Sequence, residues 1–281
     1  LQSSSATIFL EFHSTLFGPT GRMPAATMSD ELLNFEGKVA LITGGSTGIG
    51  RAVALLFARQ GARIVIGDVN EEASETVAAI KEKGGEALFV STDVTKAEQV
   101  QHLISTTVAQ YGRLDCAFNN AGVLPEVRLL AETDEEEFDR TIAVDLKGIF
   151  LCMKYEIQQM LKAGGGAIVN TGSVAGIIAD PGISAYVAAK HGVIGLSKAA
   201  GIEYASRRIR INALAPGLVQ TRMTKAWLDD PFIRNRFLSN TPIGRVSQPE
   251  EMAGMVLFLC SDLASFSAGQ TFVMDGGYTA H

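Results

Sequence analysis

Cysteine is scarce in this chain: three residues in 281, Cys116, Cys152 and Cys260. None stands in a CxxC pair, and three cannot build a disulfide framework. Each lies in an apolar run, which reads as a small core side chain in a reducing, cytoplasmic setting. The four histidines, His13, His102, His191 and His281, are scattered without metal-ligand spacing, so no metal site is expected. Long hydrophobic runs are missing too. The nearest candidate, residues 252–260, falls well short of the ~18 residues that a membrane helix needs, and no membrane partner is expected. An excess of positive charge is also absent: 24 Lys and Arg against 30 Asp and Glu leave a net charge of −6. Such a chain has no global attraction to phosphate backbones, so nucleic acid is not expected as a partner.

What the chain does have is apolar material. Hydrophobic residues make up 47% and charged residues 19%, enough for a large core and incompatible with a disordered chain. Residues 1–27 differ from the rest. They are rich in Ser and Thr, and their two charges are Glu11 and Arg22. Glu11 and His13 interrupt the apolar residues around them, so a secretory signal does not fit, and a transit peptide would carry more Arg. This stretch is read as a non-native or disordered extension. Met28 is then the expected start, and residues 28–281 a single domain.

Two hydrophobic periods alternate from Lys38 onward. Short apolar runs at 38–43, 62–66, 87–91, 114–118, 167–171, 209–214 and 271–274 read as buried strands. Helical spacing appears at 49–59, 71–83, 96–111, 134–143, 146–162, 184–205 and 250–260. Glycines at 84–85 and 164–166 mark helix ends. The pattern predicts an α/β fold: a single doubly wound parallel sheet with helices on both faces. Ligands of such sheets bind at the carboxyl ends of the strands, where strand order reverses.

The first strand runs into Thr43-Gly44-Gly45-Ser46-Thr47-Gly48-Ile49-Gly50. This is neither G-x-G-x-x-G nor a Walker A loop, since Arg51 and Ala52 stand where a P-loop needs Lys and Ser or Thr. Glycines nevertheless let a backbone approach a ligand closely, and the following helix turns free N–H groups toward the loop. A tight turn packed on the sheet is the plain alternative. Asp68 adds weight to the ligand reading. It ends the second strand eighteen residues beyond Gly50, where a carboxylate accepts hydrogen bonds from an adenosine ribose. It would also repel a 2′-phosphate, and no Lys or Arg stands beside it. The pattern therefore favours NAD over NADP.

Tyr186-Val-Ala-Ala-Lys190 sets a phenol and an ammonium four residues apart, on one helix face. A neighbouring cation is expected to lower a phenol's pKa from its reference near 10 and to fit it for proton exchange with an alcohol or carbonyl oxygen. Ser173 follows the fifth strand, where its hydroxyl can donate to the same oxygen. A surface Tyr–Lys pair would be unremarkable alone; its order after the glycine loop, Asp68 and Ser173 gives it meaning.

With these motifs in place the chain resembles the short-chain dehydrogenase/reductase family, in its branch of about 250 residues. The likeness spans residues 35–278 and rests on the glycine loop, Asp93-Val94, Asn119-Asn120-Ala121-Gly122, Ser173, Tyr186 with Lys190, and Pro216-Gly217. It implies a Rossmann-like NAD(P)-binding fold and catalysis by Ser173, Tyr186 and Lys190. It implies that Gly44, Ser46, Gly48, Ile49 and Gly50 line the pyrophosphate, that Asp68 holds the ribose and that Asp93 and Val94 flank the adenine. Asn120 would lie by the inner ribose, Lys190 on the nicotinamide ribose, and Val219 and Thr221 on the carboxamide. Asp145 departs from the pattern, standing where the family carries a catalytic Asn, and is expected to raise the pKa of Lys190. The resemblance also implies a homotetramer built on residues 146–162 and 184–205.

Two segments are candidates to cover the substrate: residues 123–130, and residues 222–245 with Met223, Trp227, Phe232 and Phe237 on an apolar face. The expected activity is NAD-dependent interconversion of a secondary alcohol and a ketone. An NADP-dependent carbonyl or 3-oxoacyl-thioester reductase, and a non-catalytic NAD sensor, remain as alternatives.

Overall fold

The structure, a computed structural model, describes residues 33–280, and those from Phe35 onward belong to one compact unit. The extension expected over residues 1–27, and the start assigned to Met28, lie outside the described residues.

Among the described residues seven strands are present: β1 (Val39–Thr43), β2 (Arg63–Asp68), β3 (Ala87–Ser91), β4 (Cys116–Asn119), β5 (Gly166–Thr171), β6 (Ile209–Pro216) and β7 (Thr271–Met274). They form one parallel sheet in the order β3-β2-β1-β4-β5-β6-β7. All five residues of β1 are buried. A strand covered on both faces must be apolar throughout, which is why these segments read as unbroken runs.

The helices are α1 (Gly48–Arg59), α2 (Ala73–Glu82), α3 (Ala97–Tyr111), α4 (Glu135–Ile142), α5 (Ile149–Ala163), α6 (Ser184–Tyr204), α7 (Lys225–Asp229), α8 (Pro231–Ser239) and α9 (Pro249–Cys260). Alternate strand residues serve opposite faces. Val39, Leu41, Val65, Ala117, Ile168 and Ile211 join Leu103, Ile157 and Val193 in a core with α3, α5 and α6. On the other face α1 packs against β1, β2 and α9. Gly112 and Gly164 end α3 and α5 in the left-handed region, at φ 78° and 88°, as helix-stop glycines should. All three cysteines are buried. Among the described residues no helix is long and apolar enough to cross a membrane.

Two local expectations are corrected. Residues 134–143 and 146–162 are not separate helices: α4 runs into α5 through a π-helical turn, Ala143–Gly148. Residues 222–245 fold as α7 and α8, but the four apolar side chains do not share a face. Trp227 stacks on Phe237 at 5.7 Å, and Phe237 meets Tyr278 at 6.0 Å. Phe232 instead points outward, 78% exposed, and Met223 turns toward the cleft described next. The break between the two helices is built by Asp230, whose carboxylate accepts from the N–H groups of Phe232 and Ile233 ahead of Pro231.

Candidate active site

The chain leaves β1 toward β2 and β3, then crosses back to β4, so the sheet divides between β1 and β4. Beyond the carboxyl ends of the strands at that division lies a cleft of about 310 Å³.

The glycine loop forms one wall. Gly44 and Gly48 have φ of 69° and 55°, a region that side chains disfavour. A Cβ at Gly50 would meet the Gly44 carbonyl oxygen at 2.1 Å. Gly50 is thus a spacing residue under the loop and, unlike the other expected residues, does not line the cleft. Gly44, Ser46, Gly48 and Ile49 do. Thr47 precedes α1 without a side-chain cap, and the first turn of α1 has no acid, so its orphan N–H groups face the cleft unpartnered by carboxylate. An open, positively polarised helix end beneath a glycine cradle fits the diphosphate of a dinucleotide.

Asp68 closes this wall at the end of β2. Its Oδ2 accepts from the Ser46 N–H at 3.0 Å, and its Oδ1 from the Asn70 N–H at 3.0 Å. The carboxylate thereby fixes the loop while lining the cleft. The turn reading and the ligand reading of Asp68 are therefore compatible, because a carboxylate has about four acceptor sites. Asp93 and Val94 line the same end; Asp93 accepts from the Thr95 backbone and hydroxyl. Asn120 sits across from the loop. Its Nδ2 donates to the carbonyls of Thr43 and Gly44, at 3.3 and 3.2 Å, and its own N–H donates to the Thr43 hydroxyl at 2.9 Å. Val219 and Thr221 line the side beyond β6.

The reactive groups converge at the other end. Ser173, Tyr186, Lys190 and Asp145 all line the cleft. Lys190 Nζ donates to the Thr171 carbonyl at 3.0 Å, lies 3.2 Å from Asp145 Oδ1 and sits 5.2 Å from the centre of the Tyr186 ring. Asp145 rides in the π turn, fully buried, and also accepts from the Val123 N–H. Gly122 makes room for it, since a Cβ there would stand 2.6 Å from Asp145 Oδ1.

Burial opposes every charge in this cluster. Burial pushes the Asp145 carboxyl above its usual range, with Lys190 as the main opposing pull. For Lys190 burial pulls downward, but Asp145, then Tyr186, outweigh it and the ammonium ends above its usual range. That direction matches the sequence expectation. Tyr186 corrects another one. Lys190 does pull the phenol downward, yet burial is the larger effect and Asp145 adds to it, so the net shift is upward.

Sequence reasoning missed several lining groups: Thr92, Thr171 and Thr224. It also missed an ion pair from Arg222 to Glu72, 2.8 Å, which ties the segment after β6 to the loop after β2. No spacing rule connects residues so far apart.

A family model described as Enoyl-(Acyl carrier protein) reductase matches residues 44–279. The cyclohexanol dehydrogenase of Acinetobacter sp. (strain SE19) is 45% identical over 247 residues, 88% of this chain and 96% of that protein. A short-chain type dehydrogenase/reductase from Mycobacterium marinum superposes with a TM-score of 0.85 at 34% identity, covering 89% of this chain and 99% of the other. A putative NAD(P) dependent gluconate 5-dehydrogenase from Beutenbergia cavernae, solved with bound NADP at low occupancy, also has a TM-score of 0.85, at 32% identity, with 89% and 100% covered.

Proposed function

The chain belongs to the short-chain dehydrogenase/reductase family, and from that premise we propose that it is an NAD-dependent oxidoreductase interconverting a secondary alcohol and a ketone. The observation that carries this reading is one cleft holding Tyr186, Ser173 and Lys190 at one end and Asp68 with the open end of α1 at the other. The nicotinamide, when bound, supplies or accepts the hydride.

The chain's own residues hold the substrate oxygen and move its proton. Tyr186 takes the proton from the alcohol oxygen, or returns it to the carbonyl oxygen, and Ser173 donates to that oxygen as its charge grows. Lys190 favours the phenolate and binds the inner ribose, beside Asn120; Asp145 keeps Lys190 charged. Gly44, Ser46, Gly48 and Ile49 receive the diphosphate, with Gly50 letting the loop close. Asp93 and Val94 flank the adenine, and Val219 and Thr221 receive the carboxamide. Asp68 takes the ribose hydroxyls and selects NAD.

The likeness to a cyclohexanol dehydrogenase supports a ring alcohol as the substrate class. The apolar walls from Val123, Val144 and Met223 suit such a ring. The NADP-bound relative supports the second reading, an NADP-dependent carbonyl reductase. A homotetramer belongs to the same proposal, supported by Leu146, Phe150 and Leu196 lining a shallow outer groove.

The test is a panel of cyclic and open-chain secondary alcohols, offered with NAD and with NADP separately, while the absorbance of reduced nucleotide is followed. Turnover with NAD at least about tenfold faster is the expected result, a preference of about 1.4 kcal/mol. Turnover with NADP alone would overturn the cofactor assignment. Tight NAD binding with silence across the panel would establish a sensor instead.

A further inference from the structure

A second carboxyl lies buried behind the cleft, outside the machinery above. Glu156, on α5, is fully buried. Among the described residues no Lys, Arg or His forms an ion pair with it. Its Oε2 accepts from Asn119 Nδ2 at 2.9 Å, while its Oε1 and Asn119 Oδ1 are both buried without a partner. A buried carboxylate with one hydrogen bond is costly, and so is each orphan acceptor.

The two orphans belong to the two side chains that already share a hydrogen bond. A proton on Glu156 Oε1 removes both costs at once, because the acid then donates to Asn119 Oδ1 while the amide donates to Oε2. Burial supports this state by pushing the carboxyl up to about 8. The groups facing Glu156 are Asn119 from β4 and the thiol of Cys152 from its own helix, itself pushed well up by burial.

The pair does not stand alone. Asn119 Nδ2 also donates to Asn170 Oδ1 at 2.9 Å, and Asn119 and Asn170 are register partners in β4 and β5. Asn170 donates on to Ser197 Oγ at 2.9 Å, and Ser197 to the Val193 carbonyl, both on α6. Each contact adjoins the cleft: Asn119 precedes Asn120, Asn170 precedes Thr171, whose carbonyl receives Lys190, and α6 carries Tyr186 and Lys190. We propose that Glu156 is a positioning residue that acts as a neutral carboxylic acid, joined reciprocally to Asn119, and fixes Asn120, Thr171 and Lys190 through the ends of β4, β5 and α6.

The activity part of this inference rests on the function proposed above; the protonation part does not. The experiment compares the full chain with Glu156→Gln and Glu156→Leu. Gln preserves a reciprocal pair without a titrating proton, and Leu abolishes it. Three readouts are taken: Tm against pH, the infrared C=O band of a protonated carboxylic acid, and kcat with KM. A group whose folded pKa is raised stabilises fully below its unfolded pKa and loses that contribution as pH rises through the folded one. The Tm advantage of Glu156→Gln over the parent should therefore grow as pH rises from 4.5, the ordinary value of a free Glu carboxyl, toward about 8, then level off. The acid band should vanish in both variants. Glu156→Leu should lose about tenfold in kcat with little change in KM, and Glu156→Gln should restore it. A Tm difference independent of pH, an unchanged acid band, or equal kcat losses in Gln and Leu would overturn the proposal. Should no alcohol turn over, the Tm and infrared results still decide the protonation state of Glu156.

Discussion

Asp145 and Lys190 form a buried ion pair, Oδ1 to Nζ 3.2 Å, in a cluster that also holds Tyr186, whose ring centre lies 5.2 Å from Nζ. Removing one partner of such a pair leaves the other charge uncompensated. Asp145 raises the pKa of both Lys190 and Tyr186. Asp145→Asn should accordingly move the Tyr186-dependent limb of the pH–rate profile to lower pH. Alcohol oxidation, which needs the phenolate, would then reach its plateau earlier. Superimposable profiles for variant and parent would remove Asp145 from the proton chemistry.

Tyr186→Phe keeps the ring and deletes the proton carrier. Turnover should fall by about 10²–10⁴, the usual contribution of a positioned acid or base, while nucleotide still quenches protein fluorescence. Ser173→Ala should cost about 10²–10³ in kcat, as the loss of one donor to a developing oxyanion does. In both variants loss of nucleotide binding along with turnover would point to a folding defect.

Asp68 has two duties, one to the loop and one to the ribose. Asp68→Ala removes the acceptor of the Ser46 and Asn70 amides and the proposed ribose contact. NAD affinity should weaken by about 1.5–3 kcal/mol, the range for hydrogen bonds to a charged group. NADP affinity should weaken less, because the repulsion of a 2′-phosphate goes too. Isothermal titration with each nucleotide separates the two effects, and equal losses would refute a role in cofactor choice.

Gly50→Ala places a methyl 2.1 Å from the Gly44 carbonyl oxygen, a backbone atom with no freedom to turn aside. The loop must shift, at a cost of about 1–3 kcal/mol in stability. Nucleotide binding should drop with it, because the cradle and the end of α1 separate. Thermal melts with and without NAD measure both, and an unchanged ligand-induced rise in Tm would contradict the spacing role.

Much of the fold was legible because burial on both faces forces strands to be apolar and their ends to be glycine-rich. β1 lies within the run that the sequence marked, and β3 and β7 coincide with theirs. The π turn was not legible: its extra residue per turn leaves no signature in a 3.6-residue pattern. The cleft residues were legible as motifs, but the direction of the Tyr186 shift was not, because the size of a burial effect depends on packing rather than on spacing. Glu156 reads in sequence as one more charge on a helix. Only the packing of α5 on the sheet brings it to Asn119, which the register of β4 with β5 in turn pairs with Asn170.

The wide turn at Ala143–Gly148 also sets a rotational phase. Each helical residue advances the side-chain direction by about 100°, so a helix that took one residue fewer there would carry all of α5 around by that angle. Asp145 would leave Lys190, and Glu156 would swing off the sheet toward solvent. Two buried carboxyls, one beside the chemistry and one behind it, are therefore timed by a single extra residue. Taking one residue out of Ala143–Gly148 would thus displace both carboxyls together.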